Sequence, residues 1–93
     1  MIQSFADEET ESFFIEDVCQ PQWRQFESVA KRKLDAVDSA HALGDLRFPG
    51  GNRLGKKSGD LDGVWSIRIN DQWRVTFRWG SNGPEDVKIT DYH

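Results

Sequence analysis

The sequence is poor in cysteine and histidine, and this scarcity removes several classes of site. One cysteine, Cys19, cannot form an internal disulfide, and one cysteine with two histidines lacks the ligand spacing of a zinc site. The chain also lacks the phosphate-loop pattern G-x-x-x-x-G-K-S/T and the G-x-S-x-G turn of serine hydrolases. We therefore expect any chemistry to use neither a metal, nor a cofactor, nor a catalytic serine.

Long hydrophobic runs are missing as well. No stretch approaches the roughly 20 apolar residues of a membrane-spanning helix. The N-terminal "MIQSFADEETESFF" is acidic and broken, unlike a signal peptide. A length of 93 residues fits one domain over residues 1–93, with four tryptophans and six phenylalanines for its core. We expect a soluble cytoplasmic protein with no membrane contact.

The net charge of −4 conceals an uneven distribution. Residues 1–22 contain six acids and no lysine or arginine, whereas residues 47–78 contain seven bases and three acids. Because salt screens charges beyond about 8–10 Å, the local field determines which ligands a surface attracts. The second half of the chain is therefore expected to attract anions.

The helical signals lie in the first half of the chain. Asp7 predicts the N-cap of a short helix that runs to about Glu16. The stretch "PQWRQFESVAKRKLDAVDSA" predicts one long helix over residues 21–40, because apolar residues recur at spacings of three and four. The recurring residues are Trp23, Phe26, Ala30, Leu34 and Val37. The basic cluster at residues 31–33 is interpreted as a solvated helix face.

The remaining segments before the hairpin are short or loop-like. "IQSF" predicts a short strand at the N-terminus, and "SAHALGDL" predicts one more helical turn that ends near Gly44. "RFPGGNRLGKKSGDLDG" has five glycines and a proline, so it predicts a loop with a short strand around Asn52–Leu54.

Two segments with a period of two, "VWSIRI" and "QWRVTFRW", predict a β-hairpin. A two-residue turn would pair Ile69 with the polar Gln72. A three-residue loop instead pairs Ile69 with Trp73 and keeps the apolar residues on one face. We therefore predict the three-residue loop. "GPED" then predicts a second turn, and "VKITDYH" predicts the last strand.

The predicted register sets Arg68 directly across from Arg74. Like charges opposite each other on a sheet cost up to about 1 kcal/mol, and Arg78 adds a third cation on the same face. Two explanations stay open. Either Asp60 or Asp62 from the preceding loop folds over the pair, or the pair binds an external anion.

The last strand adds further polar groups to this region. By alternation, Lys88, Thr90 and Tyr92 share the side of the arginines. Asp91 and His93 fall on the other side unless the strand bends or frays at its end.

Cations, a histidine and a tyrosine without a metal suit the cleavage of RNA by attack of the 2′-hydroxyl on the adjacent phosphate. His93 can transfer a proton near pH 7, and the neighbouring Asp91 favours its protonated form. Tyr92 can support proton transfer or stack on a base. Arg68 and Arg74 can hold the phosphate and stabilise its developing charge. Further phosphate contacts are expected from Arg53, Lys56, Lys57 and Arg78.

The motifs "GVWSIRINDQWRVTF" and "VKITDYH" resemble the HigB-type toxins of the RelE superfamily, the killer proteins of bacterial type II toxin–antitoxin systems. "MIQSF" at the start and "LDAVDSA" in the long helix also stand where that family has them. The resemblance covers essentially the whole chain, with several motifs in order. It implies an α+β, RelE-like fold in which N-terminal helices pack on a small antiparallel or mixed sheet.

The resemblance also implies an activity and partners. The activity is that of a ribosome-dependent mRNA endonuclease (an mRNA interferase) that inhibits translation. The family's terminal Asp-Tyr-His falls on Asp91, Tyr92 and His93, and the arginine of its W-R motif falls on Arg74. The implied partners are the ribosome with its mRNA and a HigA-type helix-turn-helix antitoxin, which alone contacts operator DNA.

One loop departs from the family pattern. Many members carry a catalytic lysine in "H-P-L-K-G-D", whereas "GKKSGD" has Ser58 at that place and Lys57 one residue earlier. Either Lys57 substitutes from a shifted loop, or Arg68 takes over phosphate binding. A non-catalytic or weakly catalytic inhibitor on the same fold, acting on the ribosome or on DNA gyrase, stays the alternative function. The retained Asp-Tyr-His favours the nuclease.

Overall fold

The computed structural model describes residues 1–56 and 63–91, in which two α-helices precede an antiparallel sheet. The helices are α1 (Glu8–Glu16) and α2 (Glu27–Ser39), and the strands are β1 (Gly55–Lys56), β2 (Val64–Arg68), β3 (Trp73–Gly80) and β4 (Gly83–Asp91). Each strand pairs with its sequence neighbour. The predicted α+β class, with N-terminal helices on a small sheet, is confirmed. Neither helix in these ranges has the length and apolar character to cross a bilayer.

Helix α1 begins where the sequence predicts. The Asp7 carboxylate accepts a hydrogen bond from the backbone N–H of Thr10 at 2.8 Å, which satisfies one of the free donors of the first turn. The helix buries Phe13 completely and ends at Glu16, and its C-cap residue Asp17 has a left-handed φ of 60°. The predicted helix through Glu16 is therefore confirmed.

The segment over residues 21–40 is not one continuous α-helix, so that prediction is wrong in its first part. Pro21–Phe26 form a 3₁₀ helix, and α2 starts only after Phe26, whose φ and ψ are −124° and 23°. A 3₁₀ helix has three residues per turn, so Trp23 and Phe26 lie above each other and both are buried. A spacing of three residues is that of a 3₁₀ helix, but it also occurs on one face of an α-helix. The spacing alone therefore does not distinguish the two.

The core lies between the helices and one face of the sheet. Ala30, Leu34 and Val37 of α2 are fully buried against it. The buried hydrophobic set from the sheet is Ile67, Ile69, Val75, Phe77, Val87 and Ile89. Because side chains alternate along a strand, this packing leaves the opposite sheet face to the polar residues.

The β2–β3 hairpin has the predicted register. Ile67 pairs with Val75 and Arg68 with Arg74, and the Ile69 N–H donates to the Trp73 carbonyl at 2.9 Å. The three-residue loop over residues 70–72 is therefore confirmed, and it places the apolar residues together as expected.

Three predictions about the connecting segments are wrong. The helical turn does not end near Gly44, because a 3₁₀ helix spans Leu43–Arg47. Another 3₁₀ helix occupies Gly50–Asn52, and the strand starts at Gly55 instead of Asn52. "GPED" is the start of β4 and not a turn, since the tight turn precedes it between the paired Gly80 and Gly83.

The N-terminal segment explains why β4 extends so far. The Gln3 N–H donates to the Pro84 carbonyl at 2.8 Å, and Phe5 forms a parallel bridge with Val87.

The register between β3 and β4 shifts between Thr76 and Arg78, and Asp86 adopts a φ of 52° there. This is a β-bulge, which absorbs the extra residue of β4. "IQSF" accordingly contributes a bridge to the sheet.

We predict that Thr10→Val destabilises the fold, because the buried Thr10 hydroxyl accepts the Ile89 backbone N–H at 3.1 Å. Valine keeps the shape but leaves that amide without its acceptor, which costs about 1–3 kcal/mol. Urea unfolding measures the loss, and hydrogen exchange localises it to the amide of Ile89. The control, Thr10→Ser, keeps the hydroxyl. Equal protection of that amide in both variants contradicts the assignment.

Candidate active site

Three arginines lie on the sheet face opposite to the helices. The register pairs Arg68 with Arg74 directly and sets Arg78 four residues farther along β3, about 13 Å away. Lys88 of β4 lies on the same face, because it pairs with Thr76. We call the face that carries Arg68, Arg74, Arg78 and Lys88 the cationic face.

Asp71 from the hairpin loop neutralises part of the arginine pair. Its Oδ1 lies 2.5 Å from Arg68 Nη2, and its side chain is 99% exposed, while that of Arg68 is 31% exposed. The hydrogen bond and charge of Arg68 lower the pKa of the Asp71 carboxyl, with smaller contributions from Arg53 and Arg74. Asp60 and Asp62 lie outside the described residues. A carboxylate does meet Arg68, but it comes from the loop after β2.

Arg53 approaches this cluster from a loop that a buried amide holds in place. Asn52 is fully buried, and its Nδ2 donates to the carbonyls of Leu46 and Phe48 at 3.2 and 3.1 Å. Arg53 follows directly with a left-handed φ of 48° and contributes to the lowered pKa of Asp71. Asn52 therefore positions the loop that places Arg53 within electrostatic range of Asp71.

Lys33 of α2 also belongs to this neighbourhood, although its helical pattern indicates a solvated face. Its ammonium donates a hydrogen bond to Oδ1 of the buried Asn52. Burial lowers the pKa of Lys33, and the charges of Arg32 and Arg68 lower it further. The charges of Lys33 and Arg68 are close enough to repel each other, so Lys33 lies near the same end of the sheet. No sequence signal marks this contact, because it joins residues 19 positions apart through a loop.

The C-terminal end of β4 lies at the same end of the sheet as the arginine pair. Arg74 pairs with Thr90 and Trp73 with Asp91, and Gln72 Nε2 donates to Asp91 Oδ2 at 3.0 Å. Asp91 therefore falls on the side of Trp73, as alternation predicts. Tyr92 and His93 lie outside the described residues, so their predicted positions stay predictions.

The other predicted phosphate contacts are spread more widely. Lys56 pairs with Trp65, so its register position lies on the helix side of the sheet and away from Arg68. Lys57 and Ser58 lie outside the described residues. Arg78 is on the cationic face, and its Nε lies 3.9 Å from Asp86 Oδ2. The structure thus brings Arg53, Arg68, Arg74 and Asp91 to one end of the sheet, with Arg78 farther along.

This arrangement is suited to holding an anion. The cations Arg53, Arg68 and Arg74 at this end of the sheet outnumber its exposed carboxylates, Asp71 and Asp91, so an incoming phosphate meets a positive local field. Within residues 1–56 and 63–91, no cluster of three or more histidine, cysteine, aspartate or glutamate side chains is close enough to hold a metal ion.

We predict that Arg68→Ala raises the pKa of the Asp71 carboxyl toward the ordinary value of about 3.9. In the wild type the ion pair is complete above that pH and is lost as the pH falls through the lowered pKa of Asp71. Carbon-13 NMR titration of the Asp71 carboxyl measures the shift. The control is Arg24→Ala, since Arg24 lies in the 3₁₀ helix and does not contribute to the lowered pKa of Asp71. An unchanged Asp71 titration in Arg68→Ala contradicts the pairing.

Curated relatives match the chain over part of its length. It is 47% identical over 53 residues to toxin HigB-1 of Vibrio cholerae, an alignment that covers 57% of this chain and 56% of the relative. It is 34% identical over 65 residues to the endoribonuclease HigB of Proteus vulgaris, covering 66% of this chain and 65% of the relative. The chain thus spans a little over half to about two thirds of these relatives.

Solved structures share the fold over nearly the whole chain. A YoeB/ParE toxin from Agrobacterium tumefaciens has a TM-score of 0.58 and 17% identity, with 98% of this chain and 99% of that chain covered. The YoeB dimer from Staphylococcus aureus has a TM-score of 0.58 and 19% identity, with 99% and 97% covered. At these identities the likeness concerns the fold alone.

A family model covers almost all of the sequence. It describes a RelE-like toxin of the type II toxin–antitoxin system HigB, and it matches residues 3–93. The predicted resemblance is confirmed. With the α+β fold and the cationic face already established, the chain belongs to the HigB family of RelE-like toxins.

Proposed function

We propose that this protein is the toxin of a type II toxin–antitoxin system and cleaves mRNA on the ribosome without a metal. The observation that carries the proposal is the Arg68–Arg74 pair, which lies on the sheet face opposite to the helices, at the end where β4 runs to Asp91. Membership of the HigB family supports it, and a relative in Proteus vulgaris carries the name endoribonuclease.

In the proposed reaction the 2′-hydroxyl attacks the neighbouring phosphorus, and the bond to the 5′-oxygen breaks. Arg74 and Arg68 hold the phosphate and stabilise the charge that develops on its oxygens. His93 protonates the leaving oxygen, since a carboxylate two residues earlier in the sequence, Asp91, favours the imidazolium. Tyr92 supports the proton transfer or stacks on a base. The proton of the 2′-hydroxyl passes to solvent water, and His93 regains its proton from water, so one proton leaves and one enters in each cleavage.

The role of the missing family lysine falls to Arg68 in this proposal. Ser58 occupies the usual position of that lysine. Arg68 lies opposite Arg74, where the two guanidinium groups can contact one phosphate from both sides. The position of Lys56 on the helix side of the sheet supports the same assignment. Lys57 is then a secondary contact.

The proposed partners follow from the family. A cognate antitoxin of the HigA helix-turn-helix type binds the toxin and carries it to operator DNA, so the toxin needs no DNA contact of its own. One fold neighbour, YoeB of Staphylococcus aureus, is described in complex with YefM. We propose that the toxin acts in the cytoplasm, where it meets translating ribosomes.

We predict that Arg74→Ala and deletion of His93 each abolish growth arrest and mRNA cleavage. Loss of a proton-transfer group lowers the rate by roughly 10²–10⁴. Primer extension on cellular mRNA after brief induction, with and without active translation, measures the cuts and their dependence on ribosomes. Arg24→Ala is the matched arginine control and keeps full activity.

The outcomes of that experiment distinguish the nuclease from the alternative functions. Cleavage by both site variants at the wild-type rate contradicts the site assignment. Growth arrest by the wild type without any mRNA cut points instead to the non-catalytic inhibitor of the ribosome or of DNA gyrase. Circular dichroism of each variant verifies that the fold is intact.

We further predict that Asp71→Asn strengthens the binding of a short oligoribonucleotide. The Asp71 carboxylate pairs with the guanidinium group of Arg68, so a phosphate that binds Arg68 must displace this carboxylate. Because an exposed ion pair is weak, we expect a gain in affinity of at most roughly fivefold. Fluorescence anisotropy at fixed salt measures the affinity. Asp35→Asn, on the exposed side of α2, makes the same change of charge elsewhere. Equal affinities of the two variants exclude competition at Arg68.

A further inference from the structure

A cavity of about 270 Å³ lies on the cationic face next to the arginine pair. Its lining includes the strand residues Val64, Thr76, Arg78, Lys88 and Thr90. They share one sheet face, because Val64 pairs with Arg78 and Thr76 with Lys88. Thr90 pairs with Arg74, so the cavity adjoins the proposed phosphate position. The proposed cleavage chemistry makes no use of this space.

The floor of the cavity offers hydrogen bonds as well as apolar surface. Thr76 is only 5% exposed, and its hydroxyl oxygen lies 3.1 Å from that of Thr90. One hydroxyl donates to the other, so the second hydroxyl hydrogen and further lone pairs stay available to a ligand. The side chain of Val64 and the threonine methyl groups supply apolar contacts.

The rim of the cavity is cationic. Lys88 is exposed, and Arg78 has a side chain that is 46% exposed. Asp86 also borders the cavity and lies 3.9 Å from Arg78, which reduces the local charge of that arginine. Lys88 is therefore the stronger contact for an anion at this rim.

Size and spacing limit what the cavity can hold. Sites for drug-sized ligands occupy about 300–1,000 Å³, so this cavity suits a single flat ring system. Thr76 is two residues beyond Arg74 on β3, a distance of about 7 Å. A ligand that fills the site therefore places an anion at Arg74, a ring at Thr76 and Thr90, and another anion at Lys88.

We propose that the cavity is a nucleobase subsite for the nucleotide next to the phosphate at Arg68 and Arg74, with Lys88 on the following phosphate. This inference rests on the proposed function and identifies which part of the RNA the face recognises beyond the cleaved phosphate. Single-stranded RNA presents unstacked bases and repeated charges, and grooves that bind it combine cations with base contacts. A single carboxylate from a partner protein would leave the ring-sized floor unused.

The test combines a change in the protein with a change in the ligand. Val64→Phe fills the cavity from β2 without altering a cation, and Val64→Ala is the matched variant that leaves it open. The ligands are short 2′-O-methyl oligoribonucleotides, which cannot undergo attack by the 2′-hydroxyl, each with one base removed at a successive position. Fluorescence anisotropy measures all affinities.

We expect removal of one particular base to weaken binding to the wild type and to Val64→Ala by roughly tenfold, within the range for one base contact. Val64→Phe should bind the intact oligonucleotide more weakly by a similar factor and be insensitive to removal of that base. If Val64→Phe and the wild type respond alike to every missing base, the cavity does not hold a base.

Substitutions of Thr76 and Lys88 test the base subsite independently of Val64→Phe. Thr76→Val should lower the affinity for the intact oligonucleotide relative to Thr76→Ser, even if Val64→Phe fails to fold. Lys88→Gln should reduce the dependence of binding on salt by about one counter-ion while keeping the sensitivity to the missing base. Absence of oligonucleotide binding by the wild type overturns the base subsite, whereas absence of cuts in cellular mRNA overturns the proposed function itself. Loss of antitoxin binding in Val64→Phe, with RNA binding unchanged, overturns only the base subsite.

Discussion

The conformation of the β2–β3 loop determines which side chains meet on the cationic face. Asn70 Oδ1 accepts hydrogen bonds from the backbone N–H groups of Gln72 and Trp73 at 2.9 and 2.8 Å, which closes a loop of three residues. A register shifted by one residue would turn every side chain of a strand to the other sheet face. Arg74 would then lie against the helices and Trp73 on the outside. The phosphate position and the neighbouring cavity therefore both depend on this turn.

The helices separate the two signs of charge. Residues 1–22 carry six acids, and α1 in this segment packs through the buried Phe13 on the helix side of the sheet. Asp17 at its end pairs with Lys31 of α2, whose ammonium lies 5.3 Å from the Phe13 ring centre. Lys31 thus serves packing between the helices. Because screening confines fields to about 8–10 Å, the cationic face can attract an anion although the chain is acidic overall.

The sequence predicts those features that depend on strict alternation or on local capping, namely the hairpin register and the start of α1. It does not predict the break after Phe26, because spacings of three and four fit both an α-helix and a 3₁₀ helix followed by one. It also does not predict the start of β4, because Pro84 and Asp86 are residues typical of a turn. The bridge between Phe5 and Val87, which the local sequence does not show, supplies this part of β4 with a neighbour. The contact of Lys33 with Asn52 is likewise tertiary, as no local pattern joins the two.

Asp71 shows how the same end of the sheet can be stable alone and still accept a ligand. The opposed arginines cost up to about 1 kcal/mol, and the carboxylate on Arg68 offsets this repulsion in the unliganded protein. Its side chain is almost fully exposed, so water solvates it well after displacement, and the ion pair with Arg68 adds little stability. A phosphate between the two guanidinium groups offsets the same repulsion while contacting both arginines. Asp71 thus stabilises the arginine pair in the unliganded protein. It lowers the affinity of the pair for a phosphate by no more than a small factor, because the ligand can displace it.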